Sequence, residues 1–136
     1  MSIDLMFEAD PRFSEREFEK ILSNLGVQVE RDEEDNVCGN FPVSSLYVVG
    51  DYKVRRDEVI AEGVPYPMFW KVGMRAVFNY SIPSYDQCDA DVHHFLIEVV
   101  KATDANFVLS FQFETVYAVH DSHGFRLMSN FGGVAT

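Results

Sequence analysis

Apolar and polar positions along the chain fall into two periods, and the switches between them mark its elements. IDLMFEA (Ile3–Ala9) reads as a first strand. PRFSEREFEKILSNLG then turns helical, with Phe18, Ile21, Leu22 and Leu25 on one apolar stripe. Ser14 with Glu17 three residues on makes a capping box, in which each side chain serves the other's orphan backbone N–H. Phe13 and Phe18 occupy the two positions of a hydrophobic staple, and Gly26 supplies a left-handed stop.

The next segments are less regular. VQVE resumes as a strand and dissolves into RDEEDN (Arg31–Asn36), where four consecutive acids, Asp32 to Asp35, repel one another and fit a solvated loop. SSLYVVG (Ser44–Gly50) is strand-like, and DYKVRRDEVI extends the pairing. EGVPYPMFWKVG, with two prolines and two glycines, reads as a loop or a broken edge strand. MRAVFNYSI is another strand, closed by Pro83.

From Asp86 the period is helical again: Cys88, Val92, Phe95, Leu96, Val99 and Thr103 share a face. Asp86, Asp89 and Asp91 crowd its N-terminal end and Lys101 sits near its C-terminal end, as the helix dipole favours. His94 is placed to pair with Glu98 on the exposed face. Phe107, Leu109, Phe111, Phe113, Tyr117 and Val119 then hold strict period two. A strand of that length is unusual, so a bend is expected near Glu114–Thr115, and the final FGGVAT reads as a fraying tail. The order β–α–β–β, further strands, then β–α–β–β predicts one α+β domain over residues 1–136. Its sheet is largely antiparallel, with two main helices packed on one face, and the recurring order suits two related halves.

Composition sharpens this picture. With 136 residues, 47% apolar and twelve Phe, the chain can bury a real core. Its 22 acidic and 11 basic side chains leave a net charge of −11, which repels nucleic acid and anionic membranes. Residues 1–35 hold eleven acids against four bases, so the front end is the acidic one. That asymmetry suits a basic protein partner, and it also serves solubility. There is no basic, apolar leader and no run near the roughly 20 residues a membrane span needs, which predicts a soluble, cytoplasmic protein. Cys38 and Cys88, without CxxC pairing, read as small buried hydrophobes.

Candidate chemistry centres on HDSH, His120 to His123. Neighbours on an extended strand point to opposite faces and cannot assemble a triad. Asp121-Ser122-His123-Gly124 is instead good turn chemistry between VYAVH and FRLM, so a hairpin is predicted. His93 and His94 diverge by about 100° on a helix and cannot chelate together. His120 with His123 falls short of the three protein ligands of a catalytic zinc. No GxGxxG or P-loop lysine occurs, and the exposed carboxylates lack the raised pKa of a general acid. No catalytic residue, metal ligand or cofactor is therefore assigned, and an enzyme is not expected.

Two features point to binding. Asp32, Glu33, Glu34 and Asp35 form an acidic loop, and Tyr66, Phe69 and Trp70 of YPMFW resemble the rigid aromatic anchors of interfaces. The alternatives stand beside them: a solvated turn, and rings that fill the core beneath a loop.

RAVFNYSI, the acid-capped DADVHHFLIEVVKATDANFVLSFQFE and then VYAVHDSHGFRLM together resemble a layout found in small bacterial immunity proteins. These are cytoplasmic inhibitors of secreted antibacterial toxins, among them type VI and contact-dependent effectors. The likeness covers Met74–Met128 and lies in layout, size and acidity, with an F-hydrophobic-S-F…E strand followed by a D-x-x-G hairpin. It implies occlusion of a cognate toxin, one acting on nucleotides or nucleic acids, whose basic cleft an acidic loop mimics or steers toward. Under that reading Asp32–Asp35 steer, and Tyr66, Phe69 and Trp70 anchor. An adaptor or secretion chaperone for an exported effector, and a small enzyme using His93, His120 or His123, are the rival readings. An exposed strand edge also offers a route to a homodimer.

Overall fold

The structure, a computed structural model, describes residues 3–53, 70–113 and 115–128. In chain order the elements are β1 (Asp4–Ala9), α1 (Glu15–Asn24), β2 (Glu30–Arg31), β3 (Val37–Asn40), β4 (Tyr47–Asp51), β5 (Met74–Asn79), α2 (Tyr85–Ala102), β6 (Phe107–Phe111), β7 (Thr115–Asp121) and β8 (Gly124–Leu127). A 3-10 turn over Ile82–Ser84 leads into α2. The strands form one sheet in the order β2-β3-β4-β5-β1-β6-β7-β8, every neighbouring pair antiparallel. The expected α+β architecture is the observed one, with both helices on a single face.

α1 follows its sequence signals closely. The Ser14 hydroxyl accepts from Glu17 N at 3.1 Å and the Glu17 carboxylate accepts from Ser14 N at 3.1 Å. Phe13 and Phe18 meet edge to face at 6.1 Å, and Gly26 takes φ +91°. In α2, Cys88, Val92, Phe95, Leu96 and Val99 are buried, and Thr103 is the C-cap. Those stripes close over Leu5 and Phe7 of β1, Ala76 and Phe78 of β5, Val48 of β4 and Leu109 of β6. Strand alternation puts these side chains on one face of the sheet. At Gly50 the sheet has no side chain, and the Phe18 ring occupies that space: a Cβ there would lie 2.4 Å from Phe18 Cε2.

On the opposite face Glu8 stands directly across from Arg75, with Nε to Oε2 at 3.0 Å, and Asn79 donates to Asp4 at 2.6 Å. Val108, Val116 and Val119 make a small second cluster there, against which Trp70 and Met128 pack.

Two expectations change. VCGN (Val37–Asn40) had no assigned element and is a full strand, β3, while only Glu30 of VQVE joins the ladder. Gly39 and Asn40 are poor strand formers, so a four-residue strand holding both has no local signature. The long period-two run is not one bent strand but a hairpin. β6 ends at Phe111, and Gln112 and Phe113 reverse the chain with φ of +49° and +64°. Left-handed residues of this kind are usually Gly, Asn or Asp, so the turn is silent in the sequence. The reversed strand also slips its register at Leu109/Ser110. The DYKVRRDEVI extension beyond Lys53 and the FGGVAT tail lie outside the described residues.

Gly50→Ala forces the added methyl against the wholly buried Phe18 ring, so it should destabilise the fold by about 1–3 kcal/mol. Urea unfolding measures the loss, and a second change, Phe18→Leu, should return part of it by opening that space.

Candidate functional site

The register defines two ends of the sheet. One carries the β2–β3 loop, Asp10, Gly73, Ala105 and the β7–β8 turn. The other carries Asp4, Tyr47, Tyr80 and the β6–β7 turn.

HDSH is at the first end and is the expected hairpin turn: Asp121 pairs with Gly124, which takes φ +102°. The Asp121 carboxylate accepts from His123 N at 2.8 Å and from Arg126 Nη2 at 3.0 Å, so it holds the turn together. The two histidines separate. His123 is exposed, whereas the His120 ring packs on Phe107 and Phe125 and its Nδ1 donates to the Ala105 carbonyl at 2.8 Å. On α2, His93 is half-buried and His94 exposed, in keeping with their divergence. Glu98 pairs with Lys101 at 3.4 Å instead of the expected His94.

The acidic loop shares that end of the sheet but its members differ in role. Asp32 is consumed by the loop: Oδ1 accepts from Glu34 N and Asn36 N, both at 2.9 Å, and Oδ2 from Asn36 Nδ2 at 3.2 Å. The Asn36 amide, foremost among these donors, holds the Asp32 carboxyl below the usual carboxylate range. Glu33, Glu34 and Asp35 are exposed. Arg31 connects this loop to α1, with Nη1 at 3.0 Å from Glu15, Nη2 at 2.5 Å from Glu19 and Nη1 at 3.9 Å from Asp35. Lys53 Nζ reaches the Glu34 carbonyl at 2.9 Å. Loop and helix thus form one acidic edge beside β2, the outermost strand on that side.

Of the aromatic anchor, Tyr66 and Phe69 lie outside the described residues. Trp70 packs on the valines of β6 and β7, and its Nε1 is buried with no hydrogen-bond partner among the described residues. From β3 to β6 is four strand steps, roughly 19 Å. The structure does not bring Trp70 and the acidic loop together.

The second end holds a feature that the spacing did not reveal. Ile3, Leu5, Tyr80, Tyr85, Asp89, Phe111, Gln112 and Tyr117 line a cleft of about 410 Å³. Tyr80 and Tyr85 meet edge to face at 5.2 Å, and Phe111 stacks on Tyr117 at 6.3 Å. Asp89 is buried, and its Oδ1 accepts a hydrogen bond from the Tyr80 hydroxyl. Burial pushes the Asp89 carboxyl up, against the lowering influence of the Tyr80 bond and of His93. Burial likewise raises Tyr80, Tyr85 and Tyr117 and lowers His93. The sequence places Asp89 with Asp86 and Asp91 at the N-terminal end of α2, where the helix dipole favours anions. The available signal was its spacing, three residues before Val92 and seven before Leu96, which puts it on the edge of the apolar stripe.

Among the described residues no helix is long and apolar enough to cross a membrane. Compared with known proteins, the chain matches no family model, no curated sequence and no solved structure.

A carboxyl whose pKa is raised in the folded state stabilises the fold only below its ordinary pKa, and that contribution disappears as pH rises through the raised value. Asp89→Asn keeps an acceptor for Tyr80 and cannot ionise. Its melting temperature should therefore gain on the wild type from acid to neutral pH, starting near the ordinary aspartate value of about 3.9. A gap that narrows over a pH series would mean that a favourable partner, and not burial, governs Asp89.

Proposed function

We propose that the protein is an immunity protein that binds and occludes a cognate antibacterial toxin acting on nucleotides or nucleic acids. The observation that carries this reading is the acidic edge, where Arg31 joins the exposed hairpin acids to Glu15 and Glu19 of α1. A basic substrate cleft attracts such a surface over several ångströms and orients it before contact. Glu33, Glu34 and Asp35 present the carboxylates that stand in for phosphates, and Asp32 shapes the loop that offers them. β2 is only two residues long and carries Glu30 and Arg31, features that discourage pairing of this edge with another copy's strand. The order β5–α2–β6–β7–β8 matches the layout on which the resemblance to immunity proteins rests. Neither Trp70 nor the cleft is required for this contact.

The test begins with capture of a partner from the native host on the immobilised protein. The captured enzyme's toxicity in growing cells and its activity in vitro should both vanish at one equivalent of this protein. The triple variant Glu33→Gln, Glu34→Gln, Asp35→Asn should slow association about tenfold at low salt and flatten its salt dependence, with less effect on dissociation. An unchanged association rate would remove the loop from the contact. A partner bound stoichiometrically yet equally toxic would point to an adaptor or secretion chaperone instead.

A further inference from the structure

We propose that the cleft over Asp89 binds an alkylammonium group, with the rings of Tyr80, Tyr85 and Tyr117 around the cation and Asp89 Oδ2 as its counter-charge. This inference is independent of the toxin reading, since the cleft lies at the opposite end of the sheet from the acidic edge.

The oddity to be explained is Asp89 itself. The other buried positions of α2, which are Cys88, Val92, Phe95, Leu96 and Val99, are all apolar, and a carboxylate among them costs stability unless something offsets it. The Tyr80 hydroxyl bonds to Oδ1, but no Lys or Arg is among the described residues that line the cleft. Among the described residues, the titratable groups that act on Asp89 are Tyr80 on the sheet and His93 and Asp86 on α2. No Lys or Arg is among them, and burial disfavours the charged form of His93. Among the described residues, the fold thus sets a carboxyl group with no Lys or Arg beside it at the base of an open aromatic cleft.

The chemistry of the lining selects the ligand. Tyrosine faces attract cations, and an aromatic enclosure with a carboxylate is the arrangement that recognises ammonium groups. An anion meets the wrong charge. A hard metal ion asks for six or more oxygens, and the described lining offers one carboxylate oxygen outside the Tyr80 bond, an amide and phenols. A guanidinium gains most from two parallel bonds to a carboxylate, and Oδ1 is already taken by Tyr80. An ammonium, a point charge on an apolar stem, needs only the remaining oxygen and lets its methylenes lie on Ile3, Leu5 and Phe111. A volume of about 410 Å³ is in the range of small-ligand pockets.

The decisive comparison is choline against 3,3-dimethylbutan-1-ol, which has the same shape without the charge. Both are titrated into the full chain while the ring resonances of Tyr80, Tyr85 and Tyr117 are followed by NMR. Choline should shift all three in a saturable way, and the neutral alcohol should bind at least about tenfold more weakly. Asp89→Asn, with its amide spectrum checked for an intact fold, should weaken choline by about tenfold or more and leave the alcohol unaffected. If that variant does not fold, Tyr117→Leu replaces it and should weaken choline selectively. A trimethyllysine peptide that binds more tightly than choline assigns the ammonium to a protein tail, and equal binding assigns it to a free small molecule. Equal shifts from choline and the alcohol, or no shift of these rings by either ammonium probe, would overturn the proposal.

Discussion

Phe95 is the contact on which the rest of the molecule depends. From the middle of α2 its ring lies 5.3 Å from Phe7 on β1, 5.0 Å from Phe78 on β5 and 5.9 Å from Phe18 on α1, each close to edge-on. All four rings are wholly buried. Edge-to-face geometry suits the ring quadrupoles and adds to the large apolar area that each ring removes from water. One side chain thereby joins both helices to the two central strands, and it sets the height at which the helices sit over the sheet. The approach of Phe18 to the bare backbone of Gly50 follows from that height, because an α1 held this close leaves no room for a Cβ on β4.

With the helix face committed to aromatic packing, polar pairing is left to the other face and to the ends. Glu8 and Arg75 pair across strands on the far face, while Asp10 and Asp121 hold turns at one end. Asp10 is nearly enclosed; burial pushes its carboxyl up, but bonds from Arg12 and Asn106 outweigh that and hold it below the usual range. Ser44 does comparable work at the second end: its hydroxyl donates to Asp91 at 2.6 Å, and its carbonyl accepts from Ser84 at 2.5 Å. These bonds fasten the β3–β4 loop to the start of α2, and that start is where Asp89 faces the cleft. The two proposed binding surfaces thus differ in kind. The acidic edge presents solvated carboxylates whose attraction reaches beyond contact, whereas the cleft encloses its carboxyl group among aromatic rings.

How much of this was legible in the sequence follows from the range of each interaction. The capping box, staple and stripe of α1, the α2 stripe and the Asp121–Gly124 turn each rest on residues within a few positions of one another. Sequence spacing carries such signals directly, and the structure has them all. The sheet's edge acids were legible as charge, and their exposure at Glu33, Glu34 and Asp35 follows from the repulsion between them. β3 and the β6–β7 turn were not legible, because Gly39, Asn40, Gln112 and Phe113 take those conformations under the pull of neighbouring strands and against their own preferences.

By itself, then, the sequence determined the class of the domain, its two helices with their inward stripes, and the side of the charge balance. Only the tertiary structure decided the strand order, the separation of Trp70 from the acidic loop, the bridging of Arg31 to α1 and the meeting of Tyr80 with Asp89. The physical reason is that period reports which face a residue takes, whereas a site needs to know which distant segment faces it. That second fact belongs to the pairing of strands far apart in the chain, and no local pattern contains it.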